Sequence, residues 1–383
     1  MTAQHLPRII QADFVIVGAG ITGAFLAERL TRKSALVVVI DRHAPASGST
    51  AASTAMLLWE LDASLLELEQ RLGAEAAGVI AQACRRQVQT IGALANALNI
   101  TCDFAFRPSL YLAGDKLDAG NLKEEARLRA HLGIEGEMLG NASLAARGVV
   151  GEGALLYDGA AEADPVKLAR GLLAVAVSRG AQIIAPAVAT VYESLPDGVA
   201  VLTREGDIVR AHTLLLANGY EMPDFVPAGR HQVVQTWAIA TEPSSQPPWS
   251  EDALVWEASD PYLYMRTTAG GRVIVGGADE KGLTTDRAAK KTPAKVRALL
   301  EAAAGRCPAI AGLQPVFAWC GAFGVTDDSL PFIGPVTGRP GCFAAYGYGG
   351  NGITFSALAA ELLMDWLEGR VGPMASLCAL NRS

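Results

Sequence analysis

Three glycines at the spacing G-x-G-x-x-G, Gly18, Gly20 and Gly23, follow an apolar run and precede an acid, Asp41. Bare backbone at this spacing suits phosphate chemistry. The first glycine allows a tight strand-to-helix turn, the second lets a pyrophosphate approach the main chain, and the third lets the helix pack closely on the sheet. The helix start, Ile21 and Thr22, offers N–H groups and the positive end of its dipole to the phosphates. Asp41 stands where a carboxylate accepts hydrogen bonds from an adenosine ribose and repels a 2′-phosphate. Together these residues predict dinucleotide binding and leave FAD and NAD open. A second bare stretch, AAYGYGGNGITFSALAAELL, carries Gly347, Gly349, Gly350 and Gly352 directly before another helix-like run. Glycine is costly to order and packs nothing, so its clustering marks a place where backbone must come close to something.

The elements that would position these residues are legible around them. Phe14 to Val17 reads as a buried parallel strand, Ile21 to Leu30 as a helix, and Ala35 to Ile40 as a second strand ending in Asp41. The following RHAPASGSTAASTAML is rich in small and hydroxyl side chains, among them Ser49, Thr50, Ser53 and Thr54. Such a stretch can wrap phosphates, and the same composition fits a surface loop equally well. Residues 60–135 have helical spacing with few breakers, and FRPSLYLAG reads as a strand. Asp164 is a suitable N-cap, with Pro165 at the first helical position. VATVYE, GVAVLT and AHTLLLANGYE read as three strands. The last ends in Asn218 and Gly219, as a central strand meeting a cofactor would. Residues 231–280 return to β structure, where period-2 spacing puts Tyr262, Tyr264 and Arg266 on one face. Two phenols and a guanidinium can hold a carboxylate, although a half-exposed sheet face is the plainer reading. TPAKVRALLEAAAGRCPAI is helical. With no repeat or low-complexity linker, the chain alternates between two domains rather than splitting once.

Composition narrows the function classes. The 383 residues are 50% hydrophobic and 19% charged, with a net charge of −7 and no Lys/Arg cluster. Nucleic acid is therefore not the expected partner. Six scattered cysteines without a CxxC pair, and five histidines without HxxH spacing, predict reduced thiols, a cytoplasmic setting and no metal. The N-terminus lacks the basic start and long apolar run of a signal peptide. The uncharged stretch around Gly349 is too glycine-rich for a good spanning helix and reads as loop plus buried helix, so no transmembrane segment is expected.

In this order, VGAGITG with Asp41, SGSTAAST, ADP around Asp164, LLLANGY, TDDSLPFIG and GYGGNGI resemble the FAD-dependent amine and amino-acid oxidoreductases. That family includes D-amino-acid oxidase, glycine oxidase and sarcosine oxidase, and the resemblance covers nearly the whole chain. It implies an α/β fold: a Rossmann-type (GR2-like) FAD-binding domain interleaved with an α+β substrate domain built on an antiparallel sheet. The implied FAD-binding segments are 1–60, 150–225 and 321–383, with 61–149 and 226–320 forming the substrate domain. FAD is implied to bind non-covalently, with Gly349, Gly350, Asn351, Gly352 and Ile353 approaching the flavin ring. There the helix N-terminus stabilises electron density arriving at the N1/C2=O end. Further contacts are implied from Arg42, Val188, Ala217 and Asp328. Asp328 and Pro331 match the family's D-G-x-P, with Ser329 in place of its glycine.

The sequence also departs from the family pattern. Phe323 stands where the glycine-oxidase pattern carries an arginine for the substrate carboxylate, and Arg266 is the candidate replacement. RVIVGG contains no lysine of the kind that activates oxygen in the sarcosine-oxidase branch, so the acceptor, O2 or quinone, stays open. Cys320 is offset by one from that branch's flavin-linking cysteine. The implied reaction is hydride transfer from a C–H beside an amine nitrogen to flavin N5, giving an imine, with a small amine or amino acid as substrate. It requires no protein acid or base if the amine binds neutral. The expected substrate wall is Tyr264, Arg266, Phe323 and Tyr348, backed by Trp59 and Trp237. Two alternatives remain: a flavin dehydrogenase of a 2-hydroxy acid or polyol, with His43 or His231 as proton acceptor, and a non-catalytic flavin-binding subunit.

Overall fold

A continuously apolar strand needs cover on both faces, and Ile9–Val17 has it. In the computed structural model, which describes residues 8–227 and 231–382, this strand is central to an eight-stranded sheet. The order is Phe332–Pro335, Cys342–Tyr346, Ile208–Leu216, Ile9–Val17, Val37–Ile40, Gln182–Ile184. Neighbours on this path are parallel except the first pair. The hairpin Ala189–Leu195 and Gly198–Thr203 joins antiparallel to the first half of Ile208–Leu216. One face buries Ile16, Val39 and Leu215 under Leu26 and Leu30 of helix Ile21–Arg32 and Leu358 and Leu363 of helix Gly352–Leu367. The other face buries Val15, Val38 and Leu214 with Val201 of the hairpin. The helix Pro165–Ser178 is capped by Asp164, whose carboxylate accepts from the N–H groups of Val166 and Lys167 at 3.0 and 2.9 Å.

The second sheet has nine strands. Its order is Pro315–Thr326, His231–Pro243, Arg272–Lys281, Leu263–Thr267, Leu254–Glu257, Ala105–Leu112, Gly153–Glu162, Met56–Leu57, with Glu137–Gly140 also on Gly153–Glu162. Pairing is antiparallel except between Leu254–Glu257 and Ala105–Leu112. Its own core gathers Trp237, Val255, Val275 and Leu299 under the helix Thr285–Arg306. That helix begins well before Thr292, where the sequence places it, and carries Pro293 inside. Among the described residues no helix is long and apolar enough to cross a membrane, and no side-chain cluster is arranged to hold a metal ion.

Strand and helix partners cross the boundaries expected from the sequence in three places. Gly153–Glu162, assigned by sequence to 150–225 of the nucleotide half, hydrogen-bonds on both edges within the second sheet. Pro315–Thr326 crosses the expected break at 320/321 as one strand, held along its length by His231–Pro243. The helix Ala74–Ala97, inside the expected substrate segment 61–149, buries Ile80, Val88 and Ile91 in a core shared by both sheets and lies against helix Gly352–Leu367. There Gln87 donates to Glu361 of helix Gly352–Leu367 at 2.9 Å. In each case the partner that satisfies backbone or apolar surface lies on the far side of a boundary drawn from sequence order.

Candidate active site

Gly18 receives the chain from the first strand at φ +112°, and a Cβ there would stand 2.3 Å from the carbonyl oxygen of Ala217. A Cβ on Gly23 would stand 1.9 Å from the carbonyl oxygen of Gly18. The turn and the helix therefore approach as closely as backbone permits. The N-cap, Gly20, has no side chain to cover the helix start. Thr50 Oγ1 accepts from the N–H of Ile21 at 3.0 Å, which draws the hydroxyl-rich segment up to that start. At the end of the second strand, Asp41 accepts from the N–H of Ala19 at 2.6 Å and from that of His43 at 2.8 Å. Arg42 beside it pairs with Glu221.

The second glycine-rich stretch meets the first. Thr22 Oγ1 lies 2.8 Å from Ser356 Oγ and donates to the hydroxyl of Tyr348 at 3.3 Å. Burial raises the Tyr348 phenol and keeps it neutral. Helix Gly352–Leu367 also starts without a side-chain cap. Its N-cap residue, Asn351, instead donates from Nδ2 to the carbonyls of Glu60 at 2.7 Å and Leu58 at 3.3 Å. The N–H of Gly350 donates to Asp62 Oδ2 at 2.8 Å, and a Cβ on Gly349 or Gly350 would lie 2.7 Å from a carboxylate oxygen of Asp62.

Between these features lies one cavity of about 820 Å³, near the top of the range of about 300–1,000 Å³ for small-molecule and cofactor sites. It runs from Asp41, Arg42, Val188, Ala217, Asn218 and Gly219, past Ser49, Thr50, Ser53 and Thr54, to Tyr264, Phe323, Tyr348 and Gly349 through Ile353. Gly18, Gly20, Ile21 and Thr22 line it midway. Asn218 Oδ1 is buried there without a partner. Two uncapped helix starts, a fixed carboxylate at a strand end and an unpaired buried acceptor fit an elongated dinucleotide such as FAD.

The far wall is aromatic and acidic. Tyr262 and Tyr264 stand side by side, with ring centroids 5.6 Å apart. Burial pushes the Tyr264 phenol up to about 12, with the charges of Asp279 and Asp62 adding to the shift. Trp256 and Thr236 complete this wall. Asp279 lies behind it with Oδ1 unpaired, and burial pushes its carboxyl up to about 6 against a Thr236 hydrogen bond. Asp62 is an exposed residue of the cavity lining, and desolvation by the surrounding protein raises its carboxyl against the pull of the Gly350 N–H and Lys116.

Gly23, Arg266 and Asp328, each expected at the site, are absent from the lining. Gly23 serves only the helix–strand contact. Arg266 is buried, with its guanidinium donating to the carbonyl of Thr54 at 2.6 Å, Glu162 Oε2 at 2.9 Å and the carbonyl of Thr267 at 3.0 Å. It neutralises Glu162, which is itself buried, and has no face toward a substrate. Asp328 accepts from Arg382 at 2.8 and 2.9 Å and ties the C-terminal turn to its loop. Trp59 and Trp237 are buried, Trp59 against Arg129 and Tyr157, and Trp237 in the second sheet's core under Lys295. Cys320 packs on that same core, and no cysteine is among the described residues that line the cavity. His231 lies against Tyr346 outside the lining, while His43 lines the nucleotide end. Sequence reasoning missed Asp62, Trp256 and the 220–225 segment. Asp62 sits in an ordinary amphipathic run, and only its contact with Gly350 singles it out.

Comparison with known proteins places this geometry. The sequence model of the DAO family, described as "FAD dependent oxidoreductase", matches residues 13–366. Glycine oxidase from Geobacillus kaustophilus superposes with a TM-score of 0.81 at 21% identity, covering 98% of this chain and 99% of that one. L-proline dehydrogenase from P. horikoshii superposes with a TM-score of 0.80 at 16% identity, covering 98% of each. Gamma-glutamylputrescine oxidoreductase of Escherichia coli K12 is 24% identical over 95% of this chain and 85% of its own length. The match over residues 13–366, on a chain whose two glycine-rich helix starts share one cavity, shows that this protein belongs to the DAO family of FAD-dependent oxidoreductases and is an enzyme.

Proposed function

We propose that the protein oxidises the C–N bond of a small amine or amino acid to an imine, using non-covalently bound FAD. The observation that carries this reading is the continuity of one cavity from the Asp41 strand end to the Tyr262–Tyr264 wall, with room for a cofactor and a small substrate side by side. The names of the relatives, glycine oxidase and gamma-glutamylputrescine oxidoreductase, point the same way. When bound, FAD supplies a hydride acceptor at N5. The chain's own residues then have defined tasks. The N–H groups of Gly20 and Thr22 at the helix start take the phosphates, since those of Gly18, Ala19 and Ile21 already donate to Ile40, Asp41 and Thr50, and Asp41 takes the ribose. The uncapped start at Asn351–Ile353 stabilises negative charge at the ring. Tyr262, Tyr264, Trp256, Phe323 and Tyr348 exclude water and orient the substrate. Oxidation of a 2-hydroxy acid or polyol calls for a proton acceptor, and His231 lies outside the lining.

The test is the visible spectrum of purified protein, recorded anaerobically while amines, amino acids and hydroxy acids are added in turn. Bleaching by amines or amino acids is expected, and readmitted air then distinguishes oxidase from dehydrogenase. A colourless protein that takes up no added FAD, or one bleached only by hydroxy acids, overturns the proposal.

A further inference from the structure

Resting on the function proposed above, we infer that the substrate is an amine with no carboxylate beside the reacting C–N bond, its ammonium group recognised by Asp62 against the phenol rings of Tyr262 and Tyr264. The ammonium gives a proton to the Asp62 carboxylate, and the neutral amine so formed then loses hydride from the adjoining carbon to the flavin. An α-amino acid needs a cation for its carboxylate. Among the described residues, the basic side chains lining the cavity are Arg42 and His43, both next to Asp41 at the nucleotide end. Arg266 is taken up by Glu162. Lys116 pairs with Asp260 at 3.6 Å, and Lys295 pairs with Glu280 at 2.8 Å and donates to the carbonyl of Ala278, both outside the lining. Phe323 contributes a ring where a guanidinium would be useful.

What the substrate end does hold suits a cation. Asp62 lines the cavity and uses Oδ2 for the Gly350 N–H, while Oδ1 has no hydrogen-bond partner among the described residues. Asp279, behind Thr236 and Tyr264, adds a second acid whose Oδ1 is also unpaired. Neutral phenol rings beside a carboxylate form the kind of surface that receives an alkylammonium, through the ring faces and the charge together. A substrate carboxylate placed there would meet Asp62 with no cation beside it, which acts as specificity by repulsion. The bare Gly349–Gly350 turn is what makes room for Asp62, since a Cβ on either residue would displace its carboxylate.

The test uses the FAD-loaded enzyme and matched pairs that differ only in a carboxylate: methylamine and glycine, putrescine and ornithine, cadaverine and lysine. Anaerobic flavin reduction is expected to be at least about tenfold more efficient for the amine of a pair, and Asp62→Asn is expected to erase most of that preference. The amide oxygen introduced by Asp62→Asn would still accept the Gly350 N–H, and an unchanged flavin spectrum checks that the site is intact. A second measurement does not depend on turnover: perturbation of the flavin spectrum by tetramethylammonium and by acetate. Tighter tetramethylammonium binding, weakened in Asp62→Asn, supports the inference. Amino acids reducing the flavin as well as their matched amines, or acetate binding more tightly, overturns it while leaving the amine-oxidation reading in place. A flavin that no member of any pair reduces counts against that broader reading instead, and the two ions still decide the charge preference.

Discussion

Replacing Arg129 with methionine tests how the substrate end is held in place. Arg129 is fully buried between Glu60 at 3.2 Å and Glu125 at 3.0 Å, with its guanidinium 5.0 Å from the ring centroid of Trp59 and 4.8 Å from that of Tyr157. Glu125 also accepts from the N–H groups of Leu65 and Leu66 at 3.2 and 3.0 Å. Glu60 leaves one oxygen unpaired, and desolvation raises its carboxyl despite Arg129. Two carboxylates thus share one cation in the interior, and Arg129→Met strands both. Breaking a buried pair from one side costs about 3–5 kcal/mol. An unfolding entropy of about 2.1 cal/mol/K per residue over 383 residues converts that to a fall in Tm of about 4–6 °C. The assay is thermal unfolding at one fixed FAD concentration, because bound cofactor itself raises Tm. The pH dependence follows from the sign of the Glu60 shift. A carboxyl raised in the folded state costs stability where it must ionise, and costs nothing below its unfolded value. Losing Arg129 raises it further, so the deficit should be larger at pH 8 than at pH 5, and Glu60→Gln in the same chain should recover part of it. A Tm within 1 °C of the parent, or a deficit equal at both pH values, would refute the reasoning.

Asp41→Ala removes the acceptor for the Ala19 and His43 N–H groups and, on the proposed function, for the ribose, so FAD affinity should weaken by about 10–100-fold in a fluorescence titration. An unchanged Kd would take Asp41 out of the cofactor site. Arg266→Met should lower Tm by leaving Glu162 to Arg107 alone, while KM for the best amine stays within about twofold. A large KM change with Tm intact would return Arg266 to the substrate wall. Asp279→Asn removes a carboxyl that ionises near 6 in the folded protein against an ordinary 3.8. The raised value makes ionisation destabilising as pH climbs through that window, so the variant should gain about 1–3 kcal/mol relative to the parent in urea unfolding at pH 7.5 and nothing below pH 4. An equal difference at both pH values would contradict the assignment.

How much of this was readable from the chain depends on whether the cause was local. Gly18, Gly20 and Gly23 follow a run of apolar residues, and Asp41 ends the next, so motif and elements could be read together. Asp164 with Pro165 needed only its own helix start. Arg266 could not be placed, because period-2 spacing sets its face while its role is set by Glu162, at the end of a strand three positions away in the sheet order. Asp328 carries a family-like motif, yet its partner, Arg382, lies at the far end of the chain. Asp62 has no sequence signal of its own. Its meaning comes from Gly350, 288 residues later.

The late glycine cluster has its explanation in strand order. Three adjacent parallel strands, Ile9–Val17, Ile208–Leu216 and Cys342–Tyr346, arrive at one edge of the first sheet from three distant parts of the chain. Each delivers an uncovered segment as it leaves: Gly18 to Gly20, Ala217 to Gly219, and Gly347 to Gly352. In an open α/β sheet the ligand crevice lies outside the carboxyl ends of the strands, so all three segments face the same space by construction. The first and last each run into a helix whose start lacks a side-chain cap, and Thr22 and Ser356 join those two helices at 2.8 Å. A cofactor bound there touches residues from both ends of the chain at once. A cofactor there bridges the two helix starts, so FAD removal should loosen Gly352–Leu367 and Ile21–Arg32 together. Amide hydrogen exchange in apo and FAD-loaded protein reads this directly. Protection lost in only one of the two helices would show that they are held independently.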